Sequence, residues 1–246
     1  MGDEHSLEEK VKRFPDETLE YYNEFTSPLE VGAAELIEEL LRTSSLGGFL
    51  GNSESLIDIK RMDYEVLNAH GVSYHKIVEN LEKIKEVAMQ QYSQSSLKHK
   101  RGIVFYLNNN YELVRDEAAK HKNQLITFLK KILLGKSAGD NEKVHFRVSI
   151  RKLQDAYCPW SVIPESQKEL SALKCSYTLS PNYEIFIENL QNGSSFRFNN
   201  LQLHMISEHK FFEGRYTAIA HNFIVHNYYR VEPLNIIKTL ELGRNY

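Results

Sequence analysis

The apolar positions of this chain change period partway along it. In the first half they recur at helical spacing. Ile77, Leu81, Ile84 and Ala88 are separated by 4, 3 and 4 residues, the stripe of an amphipathic helix. Ser73 stands where such a helix is capped, Val72 can staple onto Ile77, and Gly71 closes the preceding helix, predicted over 56–69. Ser27, Pro28 and Glu30 supply the N-cap, first and third positions of a capping box. The helix behind them would bury Ala33, Ile37, Leu40 and Leu41. Asp16 caps a short helix with Leu19, Tyr22 and Phe25 on one face, and a longer helix is predicted near 111–134.

After Lys136–Lys143, a Gly/Ser/Asn-containing linker candidate, the period becomes two. Val144, Phe146, Val148 and Ile150 alternate with His145, Arg147, Ser149 and Arg151, the pattern of a half-buried strand. The stretch YEIFIENLQNGSSFRF predicts a β-hairpin turning at Asn192-Gly193. LQLHMISEHKFFEG then predicts a helix capped by Asn199 or Asn200 and ended by Gly214. An alternating strand near 216–228 and a helix opened by Pro233 complete the chain. The expected fold class is α+β and predominantly helical: a helical region over 1–135, then a small α+β region over 143–246 with a hairpin and two short helices.

Composition narrows the function classes. No apolar run approaches the roughly 20 residues of a membrane helix, and the acidic start MGDEHSLEEK has no apolar signal core. Two cysteines in 246 residues suit a reducing compartment, so a cytoplasmic protein is expected. Met1-Gly2 with Ser6 fits the myristoylation pattern, but Asp3-Glu4 and the lack of a polybasic partner argue against an anchor. The net charge of −3 conceals a division: residues 1–58 carry 14 Asp+Glu against 4 Lys+Arg, residues 59–158 carry 11 against 18. An acidic segment lying against a basic middle explains this better than nucleic-acid binding does, because the isoelectric point is near 6.4.

The candidate chemistry is a metal site. Cys158, Cys175, His204 and His209 offer two thiolates and two imidazoles, the ligand types of tetrahedral zinc. The histidines are spaced as in Cys2His2 sites, whereas sixteen residues separate the cysteines, more than a zinc knuckle uses. Cys158-Pro159-Trp160 suits a tight turn at one ligand. Helical positions five apart diverge by roughly 140°, so the two imidazoles are expected on different faces unless the helix ends or bulges between them.

The leading functional expectation is a non-catalytic interaction or binding protein with a protein partner and a structural zinc in its second half. Tyr228-Tyr229-Arg230, Phe211-Phe212 and Trp160 carry the residue mix of interfaces, but a normal small core is the safer assumption for them. Two alternatives stand beside it. Leu67 to Ser73 leading into Ile77 has the spacing of a helix-turn-helix DNA-binding regulator, with His75, Lys76 and Asn80 able to reach bases. Glutamates are mixed along that helix, which argues against nucleic acid. A His/Glu-dependent metallohydrolase around His204, Glu208, His209 and Glu213 requires those side chains to converge in one pocket. No nucleophile elbow, P-loop or dinucleotide-binding glycine motif occurs.

Overall fold

The alternation at Val144–Ile150 builds the second strand of a four-stranded antiparallel meander, seen in a computed structural model that describes residues 24–43, 49–95, 102–114, 144–163, 168–175, 181–216 and 230–243. The strands are β1 (Ile103–Leu107), β2 (Phe146–Lys152), β3 (Tyr183–Asn189) and β4 (Ser195–Asn199), in sheet order β1-β2-β3-β4. Pairing Phe105 with Val148, Val148 with Ile187, and Ile187 with Phe196 puts these side chains on one face. That face is buried, while Arg147 and Arg151 reach across the other to Glu188 and Glu184. A one-residue slip would exchange the two sets, so burial fixes the register.

Six helices are described: α1 (Pro28–Gly32), α2 (Ala34–Thr43), α3 (Leu56–Ala69), α4 (Tyr74–Gln94), α5 (Asn200–His209) and α6 (Pro233–Leu240). The signals around α3 and α4 act as predicted. Ser73 accepts from the backbone at Lys76 and Gly71 adopts φ 65° between the helices; Ser55, for which no cap was expected, accepts likewise from Asp58. Ile77, Leu81, Ile84 and Ala88 lie buried on the sheet core, with α6 contributing Ile236, Ile237 and Leu240.

A second core joins Ala33, Ile37 and Leu41 of the α1–α2 segment to Leu50, Leu56, Ile59, Cys158, Trp160 and Phe211. Helix α5 lies between the two: Leu203 and Ile206 face the sheet core, Leu201 and Met205 the second. The seam between the cores is where its histidines emerge.

Several expectations need correction. A strand, β1, lies within the stretch expected to be helical throughout, and Tyr111–Leu113 form a turn and a β-bridge rather than a helix start. Glu30 does not close a capping box. Its carboxylate points inward and accepts from Thr26 and Lys60. The hairpin runs through a five-residue connection, Leu190–Ser194, with Gly193 at φ 71°. It is organised by Asn189, whose side-chain oxygen accepts from Gln191 and Asn192. Helix α5 ends at His209, not Gly214. Other expectations hold: Phe211, Phe212 and Trp160 are core, as the safer assumption had it, and Arg230 is buried. The expected helices near 16–25 and 115–134, the linker, the strand near 217–228, Tyr228-Tyr229, Gly2 and Lys98–Arg101 lie largely or wholly outside the described residues. Among the described residues no helix is long and apolar enough to cross a membrane.

Candidate metal centre

Two chain segments of unlike build meet at one point. The first is the turn at Cys158. With φ −66° and ψ 129°, Cys158 caps a short 3₁₀ helix, Pro159–Val162, and its carbonyl accepts from the Ser161 amide at 2.9 Å and hydroxyl at 2.6 Å. Proline at the first position presets the helical φ. The chain returns after a second 3₁₀ helix, Lys168–Leu173, and the Cys175 amide donates to the Trp160 carbonyl at 3.4 Å. Sixteen residues of intervening sequence are thereby folded back, and the two thiols become neighbours.

The second segment is the end of α5. Asn199 and Gln202 close a reciprocal capping box at its start. At its end the Lys210 and Phe211 amides both donate to the Met205 carbonyl, and Lys210 takes the left-handed conformation, φ 49° and ψ 39°. The bond from Lys210 closes a turn one residue wider than a regular helical turn. That turn follows His209, the last helical residue, so the two imidazoles approach through their side chains and not through a change of helix geometry between them. Here the reading from ideal helix geometry is corrected: His204 and His209 do converge, their rings 5.4 Å apart and nearly perpendicular.

The ligand atoms of Cys158, Cys175, His204 and His209 all lie within 4.8 Å of one another. Cys158 Sγ is 3.2 Å from His209 Nε2, and Cys175 Sγ is 3.1 Å from His204 Nε2. Zinc bonds of about 2.3 Å to sulfur and 2.0–2.1 Å to nitrogen set tetrahedral ligand atoms about 3.3–3.8 Å apart. The cluster is close to that size, and small side-chain rotations adjust it.

Its surroundings favour neutral groups. Burial, reinforced by the neighbouring Cys175, pushes the Cys158 thiol up to about 12. Burial, with His204 and Lys60 adding repulsion, pulls His209 down to about 3. Burial also lowers His204, and Glu208 opposes it. Unprotonated imidazoles are what a metal requires, and a divalent ion would offset the charge of two thiolates without leaving a net charge in the core. Trp160 lies flat against one face of the His209 ring, leaving Nε2 free at the ring edge to meet a metal.

A cavity of about 830 Å³ opens beside the cluster. Cys175, His204 and His209 line one side, Phe25, Glu30 and Lys60 the other. Cys158 is fully buried.

Lys60 and Glu30 form a buried ion pair, which the reading of the sequence missed. The signal was present in the helix register. Lys60 and Asp63 sit between Leu56 and Leu67 at i, i+4, i+7 and i+11, on the buried stripe of α3. A charge on such a stripe needs a buried partner. Asp63 finds it in Arg230.

The other candidates fall elsewhere. Glu208 is exposed and accepts from Ser207, and Glu213 is buried with φ 70°. The imidazoles thus meet sulfur rather than those carboxylates. On α4, Asn80 is buried and donates to the Lys76 carbonyl, and Lys76 and Lys83 both pair with Glu79. Comparison of the chain with family models, with curated proteins and with solved structures found no match.

Proposed function

We propose that this chain is a non-catalytic binding protein of the cytosol whose binding surface is held by a structural zinc ion on Cys158, Cys175, His204 and His209. The observation that carries the reading is the convergence of four ligand atoms, from a folded-back turn and a helix end, within 4.8 Å of one another. Four protein ligands fill a tetrahedral shell and leave no place for a reactive water, which is the mark of a structural rather than a catalytic zinc. The ion would fasten the 158–175 segment to the end of α5 and fix one wall of the adjoining cavity.

A protein partner fits the exposed chemistry of the same turn. Tyr157 and Val162, on either side of the buried Cys158-Pro159-Trp160 step, are 61% and 52% exposed. Exposed aromatic and aliphatic side chains on a rigid turn are the usual anchors of such contacts.

The test is elemental analysis of the purified chain together with thermal unfolding before and after chelation. One zinc per chain and a lower melting temperature on its removal support the reading. Retention of a thousandfold excess over the dissociation constant would be worth about 4 kcal/mol, a shift on the order of 10 °C for a chain of this size. A chain that neither holds nor takes up zinc, and melts unchanged with chelator, overturns it.

A further inference from the structure

The metal reading leaves open what happens to two thiolates held this close when an oxidant reaches them. We propose that the Cys158–Cys175 pair is a peroxide-sensitive release for the metal, which exchanges a cross-link between two elements for a cross-link within one. The inference rests on the zinc reading and adds its regulation.

Three observations carry it. The two sulfurs lie within 4.8 Å of each other. The segments that carry them are joined by the bond from the Cys175 amide to the Trp160 carbonyl, which holds the two thiols at a distance that side-chain rotation can close. And the two thiols differ in access: Cys175 is half-buried and lines the cavity, whereas Cys158 is fully buried behind it. A small neutral oxidant entering the cavity meets Cys175 first.

The Cys175 thiolate attacks one oxygen of hydrogen peroxide. The O–O bond breaks, a sulfenic acid forms, and the departing hydroxide takes a proton to become water. The Cys158 thiolate then attacks the sulfenic sulfur, forming the S–S bond and breaking S–O, and the second hydroxide takes a proton to become water. Two thiolates, one peroxide and two protons give one disulfide, two waters and a free zinc ion. His204 and His209 remain, and two imidazoles cannot hold the metal in a structural site.

The connectivity decides the consequence. Zinc ties the 158–175 segment to α5, through His204 and His209. The disulfide ties that segment only to itself. Oxidation therefore frees the helix end from the turn and loosens the cavity wall between Ala172–Cys175 and His204–Lys210. Trp160, the only tryptophan, reports this because its indole is packed against His209 and Phe211.

The test uses the full zinc-loaded chain, titrated with hydrogen peroxide in the presence of a chromogenic zinc chelator. The expected result is one zinc released per peroxide consumed and loss of alkylation at both cysteines. The denatured mass should fall by two hydrogens, Trp160 emission should shift to the red, and dithiothreitol with zinc should restore all of these. His204→Asn keeps both thiols and should form the same disulfide with less peroxide; failure to form it overturns the proposal, as does zinc retained through the titration. Release accompanied by sulfinic acid on Cys175 and a free Cys158 overturns it as well. A chain that takes up no zinc at the outset fails at the earlier reading, and zinc that is bound but stable to peroxide fails only here.

Discussion

The His209 imidazole lies on the Trp160 indole with ring centroids 4.0 Å apart and planes inclined by 7°. Trp160 follows Cys158 by two residues, so the turn that carries one ligand also supports the ring of another. Stacking fixes the plane in which His209 can swing and directs Nε2 toward Cys158 Sγ, 3.2 Å away. Trp160→Ala removes this support together with a fully buried side chain. It should cost about 3–5 kcal/mol of stability and weaken zinc binding about 10–100-fold, the range for groups that orient ligands. Trp160→Phe keeps an aromatic face and should retain most of the affinity. Zinc titration against a competing chelator separates the two effects. A destabilised Trp160→Ala protein with parental affinity would show that the stack does not orient the ligand.

Acid should act on the metal-free chain through the same histidine. His209 is pulled down to about 3 by burial, with His204 and Lys60 contributing, whereas in the unfolded chain it titrates near 6.5. Above 6.5 both states are neutral there. Below it the unfolded state takes up a proton that the folded state refuses, so stability falls with pH from 6.5 toward 3, by up to about 1.4 kcal/mol per unit for one such group. His204, lowered in the same direction, adds to the loss. Urea unfolding at pH 7 and pH 5 should therefore show a smaller drop in a His209→Asn variant than in the parent. Equal drops would place the acid sensitivity elsewhere.

Asp63 and Arg230 form the second buried pair of α3, with both side chains 1% exposed. Burial raises Asp63 to about 6 even with the Arg230 guanidinium opposing it. Arg230→Met should cost about 3–5 kcal/mol, because it leaves a buried carboxylate without its partner. The sign of the pH dependence follows from a folded-state value above the unfolded one. Protonation relieves the buried charge, so the penalty relative to the parent should be larger at pH 8 than at pH 5. Combining Arg230→Met with Asp63→Leu should recover part of the loss. Additive costs in that double-mutant cycle would mean that the pair is not coupled.

Much of the fold was legible where a side chain reports on its own segment. The spacing of Ile77, Leu81, Ile84 and Ala88 implied the buried stripe of α4, and the alternation from Val144 to Ile150 implied β2. Serine caps at 27 and 73 read correctly because a cap is a local hydrogen bond. The site was legible in its ligand types and not in its geometry. Cys158 and Cys175 meet through a backbone bond between distant residues, which no periodicity encodes. The histidines meet through their side chains at the end of α5, and that end is set by the left-handed φ of Lys210, for which lysine gives no signal as glycine does. Glu30 was misread as a cap because its partner, Lys60, lies 30 residues further on.

The left-handed Lys210 also tests what holds the end of α5 at the site. Lys210 has φ 49°, a conformation that burdens a side chain bearing a β-carbon by roughly 1 kcal/mol and suits glycine. The Lys210 ammonium also donates to the Glu24 carbonyl at 3.1 Å, an exposed contact of small value. Lys210→Gly should therefore keep the wide last turn, bind zinc as the parent does, and raise stability by up to about 1 kcal/mol. Lys210→Val places a β-branched residue where φ must be positive. It should destabilise the turn that leads from His209 into Phe211, which packs on Trp160, and so loosen the helix end that carries His209. Zinc affinity should then fall while the Cys158–Cys175 pair is untouched, and Trp160 emission should move to the red as its stacked partner leaves. If Lys210→Val folds and binds zinc as tightly as Lys210→Gly, the turn at Lys210 does not hold His209 at the site.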